Sequence, residues 1–157
     1  MAKQSIKQLS VPRFIPRYRV TLVSEGGHTA PYGVLRDSAA AAAVLRPCFA
    51  GLDREQFLVC CLDAKNVSIG VNIVSIGTLT LSLVHPREVF KAAILLNACA
   101  IIAVHNHPSG DPTPSPEDRT LTTRLRDAGD LLGIRLLDHL ILGDDRLYSF
   151  ADHDWPL

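Results

Sequence analysis

Two imidazoles and a carboxylate that can close on one cation are the chemistry this sequence offers. The stretch from Ala103 to Arg119, AVHNHPSGDPTPSPEDR, supplies all three. His105 and His107 end the apolar run 98–104, so they take alternate positions of an expected strand and face one side, with Asn106 facing the other. Side chains rooted roughly 7 Å apart can converge on an ion that prefers Zn–N bonds of about 2.0 to 2.1 Å. Pro108 cannot extend a ladder, and Ser109, Gly110, Asp111 and Pro112 turn the chain. A helix then starts, with Ser115 as N-cap, Pro116 at its first position, and Glu117 and Asp118 where the helix dipole favours acids. Asp118 is thereby returned to the strand end. Two histidines and one carboxylate leave a tetrahedral zinc with an open position, the arrangement of catalytic rather than structural sites. Water in that position becomes a nucleophile. The same residues also have a plainer reading, because Ser115 to Asp118 has the spacing of a capping box, which needs no metal. A His-x-His pair alone is likewise a weak signal. The conjunction favours a ligand set, since burying imidazoles without partners costs about 2 kcal/mol or more.

The elements that must position these residues can be read from pattern. The run 17–24 alternates as a strand that would pair at an edge, and residues 25–27 turn. Asp37 or Ser38 can cap a helix through the alanines 39–43, ending before Pro47. The runs 57–62 and 67–76 form a hairpin around 63–66, and 79–84 is another short strand. Pro86, with Glu88 behind it, opens a helix to about Asn97. After the histidine stretch the helix continues through 120–132 and stops at Gly133, and 136–142 and 146–150 read as strands. The order β, α, β, β, β, α, β, α, β, β implies a single α/β domain in which helices flank a mixed sheet.

The string HNHPSG followed by PSPED resembles the JAMM motif of the JAB/MPN superfamily and, within it, the RadC branch. The resemblance extends to GTL at 77–79, HPREVF at 85–90, AAILLNACA at 92–100 and DHLILG at 138–143, and spans about 35–150. It implies a cytidine-deaminase-like architecture, with a basic arm at 1–34 and a RadC-like metallohydrolase domain at 35–157. The helix-hairpin-helix-like region that RadC proteins carry ahead of this domain has no counterpart here, so the expectation is the catalytic-type domain. The resemblance further implies zinc on His105, His107 and Asp118, and places the proton shuttle on a glutamate at the start of an earlier strand, which matches Glu55. Read from the sequence alone, Glu55 is a solvent-facing charge at a strand edge. In the family the motif serine supports the oxyanion or the metal water, so Ser115 would both cap the helix and aid catalysis. Asp138 and His139 interrupt an apolar strand; either could orient a ligand histidine from behind, and either could be a satisfied structural group. His28, His85 and His153 receive no role.

Sixteen basic and sixteen acidic residues cancel, which argues against a general polyanion binder. Lys3, Lys7, Arg13, Arg17 and Arg19 nevertheless form an arm without an acid in its first 24 residues, a candidate nucleic-acid contact or a solvated tail broken by Pro12 and Pro16. The cysteines at 48, 60, 61 and 99 lack C-x-x-C spacing and read as reduced core residues. No signal peptide or membrane span is evident, so a cytoplasmic protein is expected.

The mechanism implied by the resemblance is hydrolysis of an amide. Zinc activates water, Glu55 takes its proton, hydroxide attacks the carbonyl, and Glu55 protonates the leaving nitrogen. Relatives outside the RadC branch cleave peptide or isopeptide bonds; the sequence leaves the substrate protein or peptide and the oligomeric state open. A DNA-associated repair or mobile-element accessory protein with little or no hydrolytic activity is the serious alternative, and a metal-bound interaction module is a third. A nucleobase deaminase lacks its H-x-E and P-C-x-x-C signature here. The letters His-Asn-His only mimic a nuclease motif whose members lie far apart in sequence.

Overall fold

A computed structural model describes residues 16–26, 33–77 and 84–156. Helix α1 (Ser38–Leu45) begins where the Asp37 carboxylate accepts a hydrogen bond from the Ala40 N–H at 2.7 Å. It buries Ala41, Ala42 and Leu45, and the chain then tightens into a 3₁₀ turn over Arg46–Phe49 that accommodates Pro47. Strands β1 (Gln56–Leu62) and β2 (Ser68–Ile76) form the expected hairpin. Asp63 closes its turn by accepting from the Lys65 and Val67 N–H groups, while Asn66 takes the left-handed conformation that asparagine tolerates. Helix α2 (Pro86–Leu95) is capped by His85, whose Nδ1 accepts from the Arg87 N–H. Strand β3 (Ala100–Asn106) leads into the motif turn. Helix α3 (Pro116–Leu132) follows and ends at left-handed Gly133, and β4 (Arg135–Leu142) and β5 (Leu147–Ser149) complete the sheet.

The strand order is β2-β1-β3-β4-β5. Among the described residues only β3 and β4 pair in parallel, as α3 provides the crossover between them, and the other pairs are antiparallel. Strands β1 and β3 are buried along their whole length, so each reads as a continuous apolar run and feeds both faces of the sheet. Phe57, Val59, Ile101, Ala103 and Leu136 pack against α2 and α3 on one face. Leu58, Cys60, Leu62, Ile102, Val104, Leu140 and Leu142 pack with α1 on the other. Two of these alternations collide in β4. Leu136 faces α3 and Leu140 faces α1 although they are four residues apart, because a bulge at Leu137 shifts the register between Ile101↔Leu136 and Ile102↔Asp138.

Three expectations need correction or fall outside these residues. The run 17–24 carries no strand and is exposed throughout; its alternation supplies the pattern of a strand but not the partner that makes one. The strand expected at 79–84 lies outside the described residues but for Val84. Of the four cysteines, none in a disulfide, Cys60 and Cys61 belong to the core and Cys48 is half-buried, but Cys99 is exposed at the turn before β3. No helix among the described residues is long and apolar enough to cross a membrane.

Candidate metal centre

The pairing of β3 with β1 fixes which way the two histidines look. His105 lies opposite Phe57 on the α3 face and is fully buried. His107 is the first residue past the strand, still tied to the sheet by its N–H, which donates to the Leu142 carbonyl at 2.8 Å. Asp118 reaches them from the first turn of α3. Its Oδ2 accepts from the Ser115 N–H at 2.8 Å and the Ser115 hydroxyl at 2.7 Å, and its own N–H donates back to Ser115 Oγ at 3.1 Å. The capping box is therefore formed, and it orients the carboxylate rather than competing with the cluster.

One ligand atom from each of the three residues lies within 4.8 Å of the others. His105 Nε2 is 3.1 Å from His107 Nε2 and 3.2 Å from Asp118 Oδ1, and His107 Nε2 is 3.6 Å from Asp118 Oδ2. Nitrogen and oxygen donors placed tetrahedrally about 2.05 Å from one ion are about 3.3 Å apart. The cluster has that spacing. Its protons are also committed elsewhere. His107 Nδ1 sits 2.8 Å from the Asp111 carbonyl, which only accepts, so Nδ1 carries the hydrogen and neutral His107 presents a bare Nε2.

The charges favour positive charge at the cluster. Burial raises the Asp118 pKa, but the adjacent His105 and His107 imidazoles, which favour the ionised carboxylate, outweigh it and hold the carboxyl far below the usual carboxylate range. The hydrogen bond with Asp118 raises His107, against its partial burial. A proton on His107 or a divalent cation would answer the same demand. The imidazole and carboxylate donor set suits zinc.

Glu55 immediately precedes β1 and lines one cleft of about 350 Å³ with His107, Pro108, Ser109, Ser115, Glu117 and Asp118. Its backbone is held from both sides. Asn106 Oδ1 accepts from the Gln56 N–H at 2.8 Å, Asn106 Nδ2 donates to the Arg54 carbonyl at 3.1 Å, and the Glu55 carbonyl accepts from the Gly77 N–H. Asn106, the residue between the histidines, had no expected part; its side chain points away from the cluster as alternation requires and finds the Glu55 segment there.

Behind the cluster, His139 lies on β4 beside Ala103, with its Nε2 2.8 Å from His105 Nδ1 and its Nδ1 2.6 Å from Thr122 Oγ1. Burial holds the His139 pKa well below its ordinary value, and the ring stacks against Phe150. Asp138, the other candidate for this position, is directed elsewhere. Its Oδ1 accepts from the His139 and Ala151 N–H groups and its Oδ2 from the Ser149 hydroxyl, so it pins the chain that follows β5. Thr122 is one helical turn after Asp118, which is the signal that could have found it. Of the basic arm, Arg17 and Arg19 are exposed and lie outside the cluster and its cleft, and Lys3, Lys7 and Arg13 fall outside the described residues.

A family model described as the RadC-like JAB domain matches residues 35–155. A UPF0758 protein of Desulfitobacterium hafniense is 56% identical over 101 residues, covering 64% of this chain and 44% of that one. One from Symbiobacterium thermophilum is 58% identical over 108 residues, covering 69% and 46%, and one from Thermotoga maritima is 52% identical over 101 residues, covering 64% and 46%. The matched stretch thus spans less than half the length of these relatives.

Proposed function

The chain belongs to the RadC-like JAB domain family, and on that premise we propose that it is a zinc-dependent hydrolase that cleaves an amide bond of a peptide or isopeptide. The observation that carries this reading is the convergence of His105, His107 and Asp118 at 3.1 to 3.6 Å beside a cleft that also holds Glu55. When bound there, zinc supplies Lewis acidity and lowers the pKa of a water molecule toward neutrality. Glu55 accepts a proton from water in the cleft and returns it to the nitrogen as the carbon–nitrogen bond breaks, so that water is consumed and a carboxylate and an amine leave. Asn106 keeps the Glu55 backbone in place for that transfer. Ser115 lies at the cleft wall and its single hydroxyl hydrogen holds the Asp118 carboxylate; turned from Asp118 toward the cleft, that hydrogen would support the oxyanion instead. Four cysteines outside any disulfide suit action in the reducing cytoplasm.

The test is metal analysis of the untagged protein together with turnover of a fluorogenic amide and isopeptide library. One zinc per chain is expected, abolished by His107→Ala, with turnover lost in Glu55→Gln while zinc is retained. Turnover that survives Glu55→Gln would remove the proton shuttle from this account, and a protein that takes up no zinc would remove the rest.

Exposed Arg17, Tyr18 and Arg19 favour a second reading, in which the arm at 1–34 binds nucleic acid and the domain is an accessory to DNA transactions. Single- and double-stranded DNA binding that disappears on deleting residues 1–24 would support it.

A further inference from the structure

The fully buried His105 touches the cluster with one ring nitrogen and His139 with the other, and His139 in turn touches Thr122. Thr122 Oγ1 has a single hydrogen and two polar neighbours at 2.6 Å, the Asp118 carbonyl and His139 Nδ1. The carbonyl cannot donate. Both contacts are hydrogen bonds only if Thr122 donates to the Asp118 carbonyl and His139 Nδ1–H donates to Thr122. Neutral His139 then presents a bare Nε2, which can only accept from His105 Nδ1–H. A doubly protonated His139 would reverse that last bond, but its ring is fully buried and packed against Phe57 and Phe150, and among the described residues its nitrogens meet His105 and Thr122 rather than a carboxylate.

We propose that Thr122 and His139 are positioning residues that lock His105 in its Nδ1–H tautomer and so keep Nε2 bare toward Asp118 and His107. This rests on the metal reading of the site and adds to it a reason why the cluster does not satisfy itself. With the other tautomer, His105 Nε2–H would donate to Asp118 Oδ1 at 3.2 Å, giving a closed histidine–aspartate hydrogen bond with nothing left for an ion. The relay removes that option. Helix α3 acts on the ring from two sides, through Asp118 at Nε2 and through Thr122 and His139 at Nδ1. His107 is set in the same way by the Asp111 carbonyl. A histidine fills the place behind a ligand imidazole that a carboxylate or carbonyl often takes, and because it is neutral it fixes the tautomer without adding charge to the buried side.

Two measurements test this. Long-range proton–nitrogen correlation spectra of the chelator-treated protein should show His105 protonated at Nδ1, and Thr122→Val or His139→Phe should move it to the Nε2–H tautomer or to a mixture. Zinc affinity, measured by competition with a chromophoric chelator, should fall roughly 10- to 100-fold in both variants and recover in Thr122→Ser, which restores the hydroxyl. Thr122→Val serves if His139→Phe does not fold. Wild-type His105 found as the Nε2–H tautomer overturns the relay, as does wild-type zinc affinity in a folded Thr122→Val protein. If the wild type binds no zinc, the proposed function fails, while the spectra still decide the tautomer.

Discussion

Asp118 Oδ2 takes both hydrogen bonds that Ser115 donates, which leaves Oδ1 as the oxygen turned toward His105. Substitution can separate these two jobs. Asp118→Asn can keep a carbonyl oxygen for Ser115 and turn its amide toward the bare His105 Nε2. It should abolish zinc binding with stability unchanged within about 1 kcal/mol, whereas Asp118→Ala should lose zinc and about 1 kcal/mol of capping. Melting in chelator, beside metal analysis, distinguishes the two. Asp138 carries a different consequence. Burial raises its pKa despite the hydrogen bonds from Ser149, Ala151 and His139. A group raised on folding contributes stability that is fully present below its unfolded value, about 3.9 for aspartate, and is lost as pH rises through the folded value. Asp138→Asn removes the titration, so the difference in melting temperature between wild type and variant should shift in favour of the variant from pH 4 to pH 7; a constant difference would show that Asp138 titrates normally. The histidines and Asp118 were legible as a trio because strand alternation and capping chemistry are local rules. His139 was not separable from Asp138, since the Leu137 bulge reverses the faces of β4 and alternation read along the sequence cannot see a bulge.

At the scale of elements, the site depends on how the turn after β3 is braced by the end of β4. Gly143 lies so close to Gly110 that a Cβ there would collide with the Gly110 carbonyl and come within 3.0 Å of Pro112. The Arg146 guanidinium donates to the same Gly110 carbonyl, and Arg46 donates to the Gly143 carbonyl from the end of α1. Gly143→Ala should therefore cost about 1 to 3 kcal/mol from overpacking and also weaken zinc binding, because the displaced turn carries the Asp111 carbonyl that orients His107. Gly133→Ala is the control. Its φ of 70° makes a side chain strained, at about 1 to 2 kcal/mol, but nothing lies near its Cβ and it sits at the far end of α3. Chelator competition on both variants should show an affinity loss only for Gly143→Ala; equal affinities would show that the brace is not needed by the site. The helices were readable for physical reasons that their ends display: Asp37, Pro86, Ser115 and Gly133 stand at their starts and stops. The unpaired run 17–24 was misread because alternation describes one strand, whereas a ladder requires two.

For the molecule as a whole, the topology decides where the chemistry sits and whether the fold needs the metal. The parallel pair β3 and β4 requires a crossover, so α3 must start just beyond the carboxyl end of β3, and its first turn delivers Asp118 to the histidines at that same pole. Both faces of the sheet are already covered, one by α2 and α3 and the other by α1. A chain of 157 residues can bury such a core without a staple. The metal-free protein should thus remain folded, and zinc should add stability by mass action alone. At free zinc 100 times its Kd that addition is about 2.7 kcal/mol, which for a domain of this size raises Tm by roughly 5 to 10 °C. Thermal melts in chelator should show one cooperative transition, moved upward by zinc in the wild type and unmoved in His107→Ala. Loss of the transition on chelation would instead make the ion a structural strut, and the open coordination position on which the proposed hydrolysis depends would lose its physical basis.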